Sequence, residues 1–154
     1  MKLFTLLLLC LLSASCMTKV MSAKPVDTEK LSNVIYSGNS AIKGNIVTVE
    51  GHHKFIRDKG NKVVLVPVCE ASTDIVTQIF GSDNDSSKLK KYPRVDWGAL
   101  ESFNKVVFTD DKGRFLLPNL SGAEYYIIAR VRGGSLLRKI VLKNDSVIDY
   151  IIRY

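Results

Sequence analysis

The clearest pattern in the chain is a series of short apolar segments separated by turn-forming residues. From residue 42 onward these segments are rich in β-branched and aromatic side chains, for example KVVLVPV at 62–68, YYIIARV at 125–131 and SVIDYIIRY at 146–154. Aspartate, asparagine and glycine cluster between them, which is typical of turns. Short strands at this spacing predict an all-β fold, an antiparallel β-sandwich of about seven strands.

Polar and apolar positions alternate within these segments, and the alternation predicts which face of each strand meets the core. In the last segment, Ile148, Tyr150, Ile152 and Tyr154 share one face, which we expect to be buried. By the same rule, the arginines at positions 130, 132 and 138 alternate with apolar neighbours. A solvated outer sheet face is the ordinary explanation for such arginines, and an anion-binding face is the alternative.

One segment departs from the strand pattern. STDIVTQIFG, residues 72–81, places Ile75 and Ile79 four residues apart, has Ser72 or Thr73 as an N-cap and ends at a glycine. These features predict one short helix. It begins an insertion, residues 69–104, whose second part we interpret as a long polar loop from 82 to 104. Because long loops in compact domains are often functional, its side chains Trp97, Tyr92 and Arg94 are the candidates for contact with a partner.

The N-terminus has the features of an export signal. Met1 and Lys2 precede a short apolar run and small residues, so residues 1–15 are predicted to be a signal peptide. LSASC, residues 12–16, resembles the processing site of bacterial lipoproteins, and the resemblance implies lipidation at Cys16, membrane attachment through that lipid and an outer-membrane location. Ordinary cleavage, giving a periplasmic or secreted protein, stays open. We interpret residues 16–41 as a tether with one short strand near Val34 to Tyr36, and residues 42–154 as the domain.

Charge and cysteine content add little to this assignment. The formal net charge is +7, but no run of five basic residues exists, and we expect no nucleic-acid partner. Cys69 remains if Cys10 leaves with the signal and Cys16 carries lipid. A buried free thiol and, in an unlipidated protein, a disulfide with Cys16 are the two alternatives for it.

No complete catalytic or metal-binding pattern is present. Asp83, Asp85 and Ser87 are spaced like the first EF-hand ligands, but the glycine and glutamate that the motif requires are missing. His52 and His53 are adjacent, so on an extended strand they point to opposite faces and chelate one ion poorly. We therefore predict no catalytic residue, no cofactor and no metal.

Two stretches carry a resemblance to a known family. TDDKGRF at 109–115 and NLSGAEY at 119–125 resemble the pattern T-D-x-x-G-x-F and N-L-x-x-G-x-Y of the carboxypeptidase regulatory-like domain, a prealbumin-like sandwich. The resemblance covers residues 44–68 and 105–142 and implies a corner tyrosine at Tyr125. It departs at Ala123, where the family has glycine, and the 69–104 insertion has no counterpart in the minimal domain.

Members of that family in exported bacterial proteins are mostly non-catalytic modules. The resemblance therefore implies a non-enzymatic envelope lipoprotein that is a binding or structural module. As a binding module it would hold a protein or a glycan through its helix and loop insertion, and as a structural one it would be a spacer. The alternative is a small-molecule-binding or hydrolytic protein that uses residues 69–104 as a lid. The lid hypothesis requires several polar groups converging on one apolar pocket.

Overall fold

The structure is a computed structural model that describes residues 19–35, 38–50, 54–57 and 59–154. Thirteen helices and strands and one 3-10 helix lie in these residues. The helices are α1 (Thr28–Ile35), α2 (Glu70–Phe80) and the 3-10 helix Gly98–Phe103. The strands are β1 (Val20–Met21), β2 (Ser40–Glu50), β3 (Lys54–Ile56), β4 (Lys62–Pro67), β5 (Ser86–Lys90), β6 (Val95–Asp96), β7 (Lys105–Phe108), β8 (Arg114–Leu120), β9 (Ala123–Val131), β10 (Gly134–Leu142) and β11 (Val147–Arg153).

Two main sheets form a sandwich, which confirms the all-β prediction. The first sheet has the order β5-β10-β9-β4-β7, and every neighbouring pair in it is antiparallel. The second is built on β2, which pairs with β3 and β8 antiparallel and with β11 parallel. The β2–β11 pair differs from the antiparallel prediction, because the last strand runs alongside the first long one. The described residues also contain more strands than the predicted seven, since several are only two to five residues long.

The main core lies between the two sheets. It is built from alternate positions of β2, β4, β8, β9, β10 and β11, with Ile42, Leu117, Ile127 and Ile152 fully buried. Ile148, Tyr150 and Tyr154 pack against the same cluster, which confirms the predicted inner face of the last strand. Arg138 pairs with Ile127 across β9 and β10, so it does not share the face of Arg130. It is half-buried and donates to the backbone oxygens of Ser86 and Leu137.

The turn at residues 110–113 connects the two sheets. Asp110 accepts hydrogen bonds from the backbone N–H groups of Lys112 and Arg114, both at 2.9 Å, and Gly113 has a φ of 71°. β7 before this turn belongs to the first sheet and β8 after it to the second. The turn is therefore formed by the aspartate and glycine that cluster between the apolar segments, and it crosses between the sheets rather than closing a hairpin.

Tyr125 forms the predicted corner. It is buried, and its hydroxyl donates to the backbone oxygen of Ser121 at 2.9 Å, as corner tyrosines do in sandwiches. Gly122 at this corner donates its N–H to Asn144 Oδ1 at 2.7 Å. A Cβ on Gly122 would lie 2.6 Å from the same oxygen, so the close approach requires glycine.

The N-terminal segment differs from the predicted tether. Residues 28–35 form a helix, not a strand near residue 34, because Asp27 caps it by accepting a bond from the Lys30 N–H at 3.0 Å. Leu31 is buried in a cluster with Ala71, Ile75, Leu100 and Phe103. β1 pairs with β6, and β2 begins at Ser40, two residues before the predicted domain boundary. Residues 20–35 thus pack on the domain, while Cys16 and the signal peptide lie outside the described residues.

The insertion is more ordered than the sequence indicated. α2 begins at Glu70, with Cys69 as the N-cap, because the Cys69 Sγ accepts from the Ser72 N–H and the Ser72 Oγ accepts from the Cys69 N–H. Gly81 ends the helix in the left-handed conformation, as predicted. The segment interpreted as a loop, 82–104, contains β5, β6 and the 3-10 helix. β5 is polar, and pairing with the edge of β10 stabilises it.

Candidate functional site

A row of polar side chains crosses the outer face of the first sheet. Strand pairing places Lys62 of β4 opposite Arg130 of β9, and Arg130 opposite Ser135 of β10. The neighbouring row on the same face is apolar and consists of Val64, Ile128 and Leu137. The apolar row and the cationic row therefore lie next to each other on the outer face, two residues apart along each strand.

The insertion covers the apolar row and stops before the cationic one. α2 packs Val76 and Phe80 onto the sheet, in one cluster with the apolar row. The chain that follows β5 then places Tyr92 and Trp97 against the same cluster. The covering ends at these aromatic side chains, and next to them Lys62 is half-buried and Arg130 is exposed.

An open groove of about 420 Å³ lies where the covering ends, and we call it the aromatic–cationic groove. Its floor is the sheet, through Lys62, Val64, Val106 and Arg130, and its walls come from two parts of the insertion. The wall residues are Tyr92, Pro93, Arg94, Val95, Trp97, Glu101 and Asn104. Tyr92 and Trp97 are half-buried, whereas Arg94, Glu101 and Arg130 are exposed.

Tyr92 joins the insertion to the sheet. The guanidinium carbon of Arg130 lies 4.7 Å from the centroid of the Tyr92 ring, a cation–π contact that orders both side chains. Burial raises the pKa of Tyr92 from 10.0 to about 12, against the opposing effects of the Arg130 charge and a polar contact with the Trp97 side chain. The phenol is therefore neutral at physiological pH and is available as a hydrogen-bonding group rather than as a base.

The N-terminal segment supports this wall from behind. The Val20 N–H donates to the Arg94 backbone oxygen at 2.9 Å, and β1 pairs Val20 with Val95. Lys19 forms an ion pair with Asp96 at 2.5 Å. These contacts fix the backbone between Tyr92 and Trp97, so the groove has a preformed wall and not a free loop.

One polar group in the groove is unsatisfied. Asn104 Oδ1 is buried and has no hydrogen-bond partner among the residues that the structure describes. A buried acceptor without a donor costs about 1–3 kcal/mol, and a bound hydroxyl can supply that donor. Together with the exposed carboxylate of Glu101, it gives the groove hydrogen-bond acceptors beside its cations.

The structure brings all three predicted partner-contact residues together. Tyr92, Arg94 and Trp97 line this one groove. Lys62, Glu101 and Asn104 carry no motif, so the sequence does not single them out. Alternation predicts that Arg130 faces outward on a solvated face, and the sequence has no signal for its contact with Tyr92.

The other candidate residues do not form a site. Asp83 pairs with the Lys139 ammonium at 3.7 Å, and Asp85 accepts the Lys139 backbone N–H at 2.7 Å, so both acids hold the insertion against β10. Cys69 is a half-buried free thiol that caps α2. His52 and His53 lie outside the described residues. In the described part of the chain, no three histidine, cysteine or acidic side chains converge as metal ligands, and no helix there has the length and apolarity to cross a membrane.

Comparison with known proteins shows similarity in fold but no match in sequence. No family model matches the chain, and no curated protein sequence matches it. A crystal structure of a protein of Pseudomonas aeruginosa, proposed to bind carbohydrate, superposes with a TM-score of 0.65 and 15% identity over 87% of this chain and 99% of that one. At that identity the likeness shows the fold alone. A second structure is the dioxygenase domain of a dioxygenase and carbohydrate-binding fusion protein from a cellulolytic Streptomyces. It has 11% identity over 88% of this chain and 86% of that one. Its TM-score of 0.40 is too low to support an argument.

Proposed function

We propose that the protein is a non-enzymatic binding module that holds a saccharide in the aromatic–cationic groove. The observation that carries the proposal is the groove itself, which combines aromatic side chains, exposed hydrogen-bonding groups and an unsatisfied acceptor in one concavity of about 420 Å³. Sites for small ligands are concavities of about 300–1,000 Å³ with apolar walls and a few polar groups. The fold likeness to a protein proposed to bind carbohydrate agrees with it.

The chemistry of a sugar ring fits the lining of this groove. A pyranose presents C–H groups on its faces and hydroxyls at its edge, so it needs an apolar platform together with donors and acceptors. Trp97 offers a large flat surface with a polar edge. Arg94 can donate to hydroxyl oxygens, and Glu101 and Asn104 can accept hydroxyl protons.

The competing lid hypothesis has less support. Residues 69–104 cover the outer apolar row through α2, Tyr92 and Trp97 and form the wall of an open groove. Asp83 and Asp85, the acids that such a site would use, are engaged with Lys139. The residues that line the groove include no serine, threonine, cysteine or histidine, the usual nucleophiles and base of a hydrolase.

Intrinsic fluorescence tests the saccharide proposal directly, because Trp97 is the only tryptophan. Titration of the unmodified protein with a panel of oligosaccharides should shift or quench the emission for those that bind, with a matching isothermal titration signal. Trp97→Ala and Arg94→Gln should each weaken that binding. Phe55→Ala is the matched control, because Phe55 is 62% exposed on the other sheet. If no saccharide changes the emission, the proposal fails.

The cellular location is a separate proposal. We propose that the module is attached to the outer membrane through a lipid on Cys16, on the strength of the LSASC stretch. Mass spectrometry of the mature N-terminus tests this. A chain that begins at Cys16 and carries acyl mass supports the anchor, whereas an unmodified chain that begins at another residue overturns it.

A further inference from the structure

A second cavity, of about 460 Å³, adjoins the aromatic–cationic groove at its cationic side. The two share Lys62, Tyr92 and Arg130. The second cavity adds Lys91, from the segment after β5, and Ser135, from the start of β10. The glycine turn at 133–134 and the loop at 60–61 form its rim.

The charge of this cavity is uniformly positive. Lys62, Lys91 and Arg130 line it, and no aspartate or glutamate does. None of these cations has an acidic side chain in ion-pair contact within the described residues. Lys19, Arg114 and Lys139, by contrast, form ion pairs with acids, as in the pair between Arg114 and Asp110 at 2.8 Å. Cations held together without counterions attract an anion, since each lowers the energy of a shared negative group.

The geometry prepares Arg130 to hold such an anion. The guanidinium packs on the Tyr92 ring, which restrains its plane and leaves its edge N–H groups for an oxyanion. Ser135, opposite Arg130 in the sheet, is fully buried in the cavity wall, and its Oγ has no hydrogen-bond partner among the described residues. Gly134 keeps the rim close, because a Cβ there would lie 2.8 Å from the Lys90 oxygen.

From these observations we infer that the protein selects acidic glycans, with the acidic group of the glycan in this cavity and the adjacent ring in the aromatic–cationic groove. The inference rests on the proposed saccharide function and specifies its ligand class. The shared chemistry is an oxyanion on a sugar, supplied by a uronate carboxylate, a sulfate ester or a phosphate ester. All three accept charge-assisted hydrogen bonds from arginine and lysine.

A glycan fits these residues better than a single-stranded nucleic acid. Nucleic-acid grooves combine a track of cations for successive phosphates with several aromatic faces for successive bases. Here the cations converge on one cavity, and one face of Tyr92 is already occupied by Arg130. That arrangement suits one anionic group next to one stacked ring.

Calorimetry with matched pairs of acidic and neutral saccharides tests the inference on the unmodified protein. The pairs are oligogalacturonate and its methyl ester, sulfated and plain dextran oligomers, and mannose 6-phosphate and mannose. The acidic member of at least one pair should bind about ten-fold or more tightly than its neutral partner, because charged hydrogen bonds contribute more than neutral ones. The preferred pair identifies the oxyanion, and added salt should reduce its advantage.

Variants locate the anion. Lys91→Gln should raise the dissociation constant of the acidic oligomer about ten-fold and leave that of the neutral oligomer nearly unchanged, because Lys91 lines only the second cavity. Arg130 lines both cavities and contacts Tyr92, so Arg130→Gln should weaken binding of both oligomers and weaken that of the acidic one more. Arg153→Gln makes the same charge change on the other sheet and is the control. A cavity that serves no ligand would give equal effects for all three variants, and that result would overturn the inference.

The two proposals fail in different ways. Equal affinity for acidic and neutral partners, with loss of both in Trp97→Ala, overturns the acidic selectivity and leaves the saccharide function standing. No binding to any member of the panel overturns both. If a single-stranded DNA oligomer binds as tightly as the best acidic glycan at the same salt concentration, the assignment to glycans is wrong.

Discussion

Leu31→Ala measures whether the N-terminal segment belongs to the folded domain. Leu31 is only 4% exposed and contacts a cluster made by α2 and the 3-10 helix. Removing a buried leucine side chain usually costs about 2–5 kcal/mol. We expect the lower part of that range, about 2–3 kcal/mol, because α1 has only eight residues and can undock locally, which limits the loss to its docking energy.

In a domain of this size, that loss lowers the Tm by roughly 6–12 °C. Urea unfolding followed by far-ultraviolet circular dichroism gives the free energy directly. Leu116→Ala is the matched control, because Leu116 is 49% exposed on β8 and its truncation should cost less than about 0.5 kcal/mol. If Leu31→Ala is as stable as Leu116→Ala, the segment is the tether that the sequence predicted and its packing on the domain is wrong.

Three further predictions concern the sandwich. Burial raises the pKa of Tyr125 from 10.0 to about 12. The free energy of unfolding should therefore fall as the pH rises from about 10 to 12. Urea melts of Tyr125→Phe should show a smaller fall over the same pH range. The side-chain hydrogen bond with Arg114 lowers the pKa of Asp110 from 3.8 to about 2, so its stabilisation is present above about pH 4 and disappears as the pH falls through 2. Asp110→Ala should therefore lower the Tm more than Asp111→Ala at neutral pH, and the difference should vanish near pH 2; a difference independent of pH would contradict this. A Cβ on Gly44 would lie 1.9 Å from the Phe115 ring, so Gly44→Ala should lower the free energy of unfolding by about 1–3 kcal/mol. In a double-mutant cycle, Phe115→Leu should recover part of that loss. If the two losses of stability simply add, there is no clash between the two side chains.

The parts of the fold that were predictable from sequence are those fixed by local chemistry. The turn at Asp110 follows from the side chain and the glycine that form it, and the inner face of the last strand follows from alternation. α1 was missed because an eight-residue helix is marginal by itself, and the residues that stabilise it by packing against Leu31 are distant in sequence. β5 was missed because SSKLK has no apolar alternation and pairs only because β10 offers an edge.

The site was predictable only in part for a related reason. Tyr92, Arg94 and Trp97 were singled out because they lie together in one unusual segment. Lys62, Arg130 and Ser135 belong to three different strands, and their proximity depends on register, which shifts every side chain to the opposite face when it changes by one residue. Alternation predicts that Arg130 lies on the outer face of its strand. Only the pairing of β4 with β9 shows that Lys62 lies beside it.

The position of the groove follows from the way in which the outer apolar row of the first sheet is buried. Both faces of the first sheet carry apolar side chains, the inner one toward the second sheet and the outer one in the row Val64, Ile128 and Leu137. An outer apolar row requires a cover, and the insertion supplies it through α2, Tyr92 and Trp97. Because the covering ends where the sheet becomes cationic, Tyr92 and Trp97 lie beside cations that have no acidic partner among the described residues. Substitutions along that border can therefore change the ligand without disturbing the core between the sheets, which is how one sandwich can serve many binding functions.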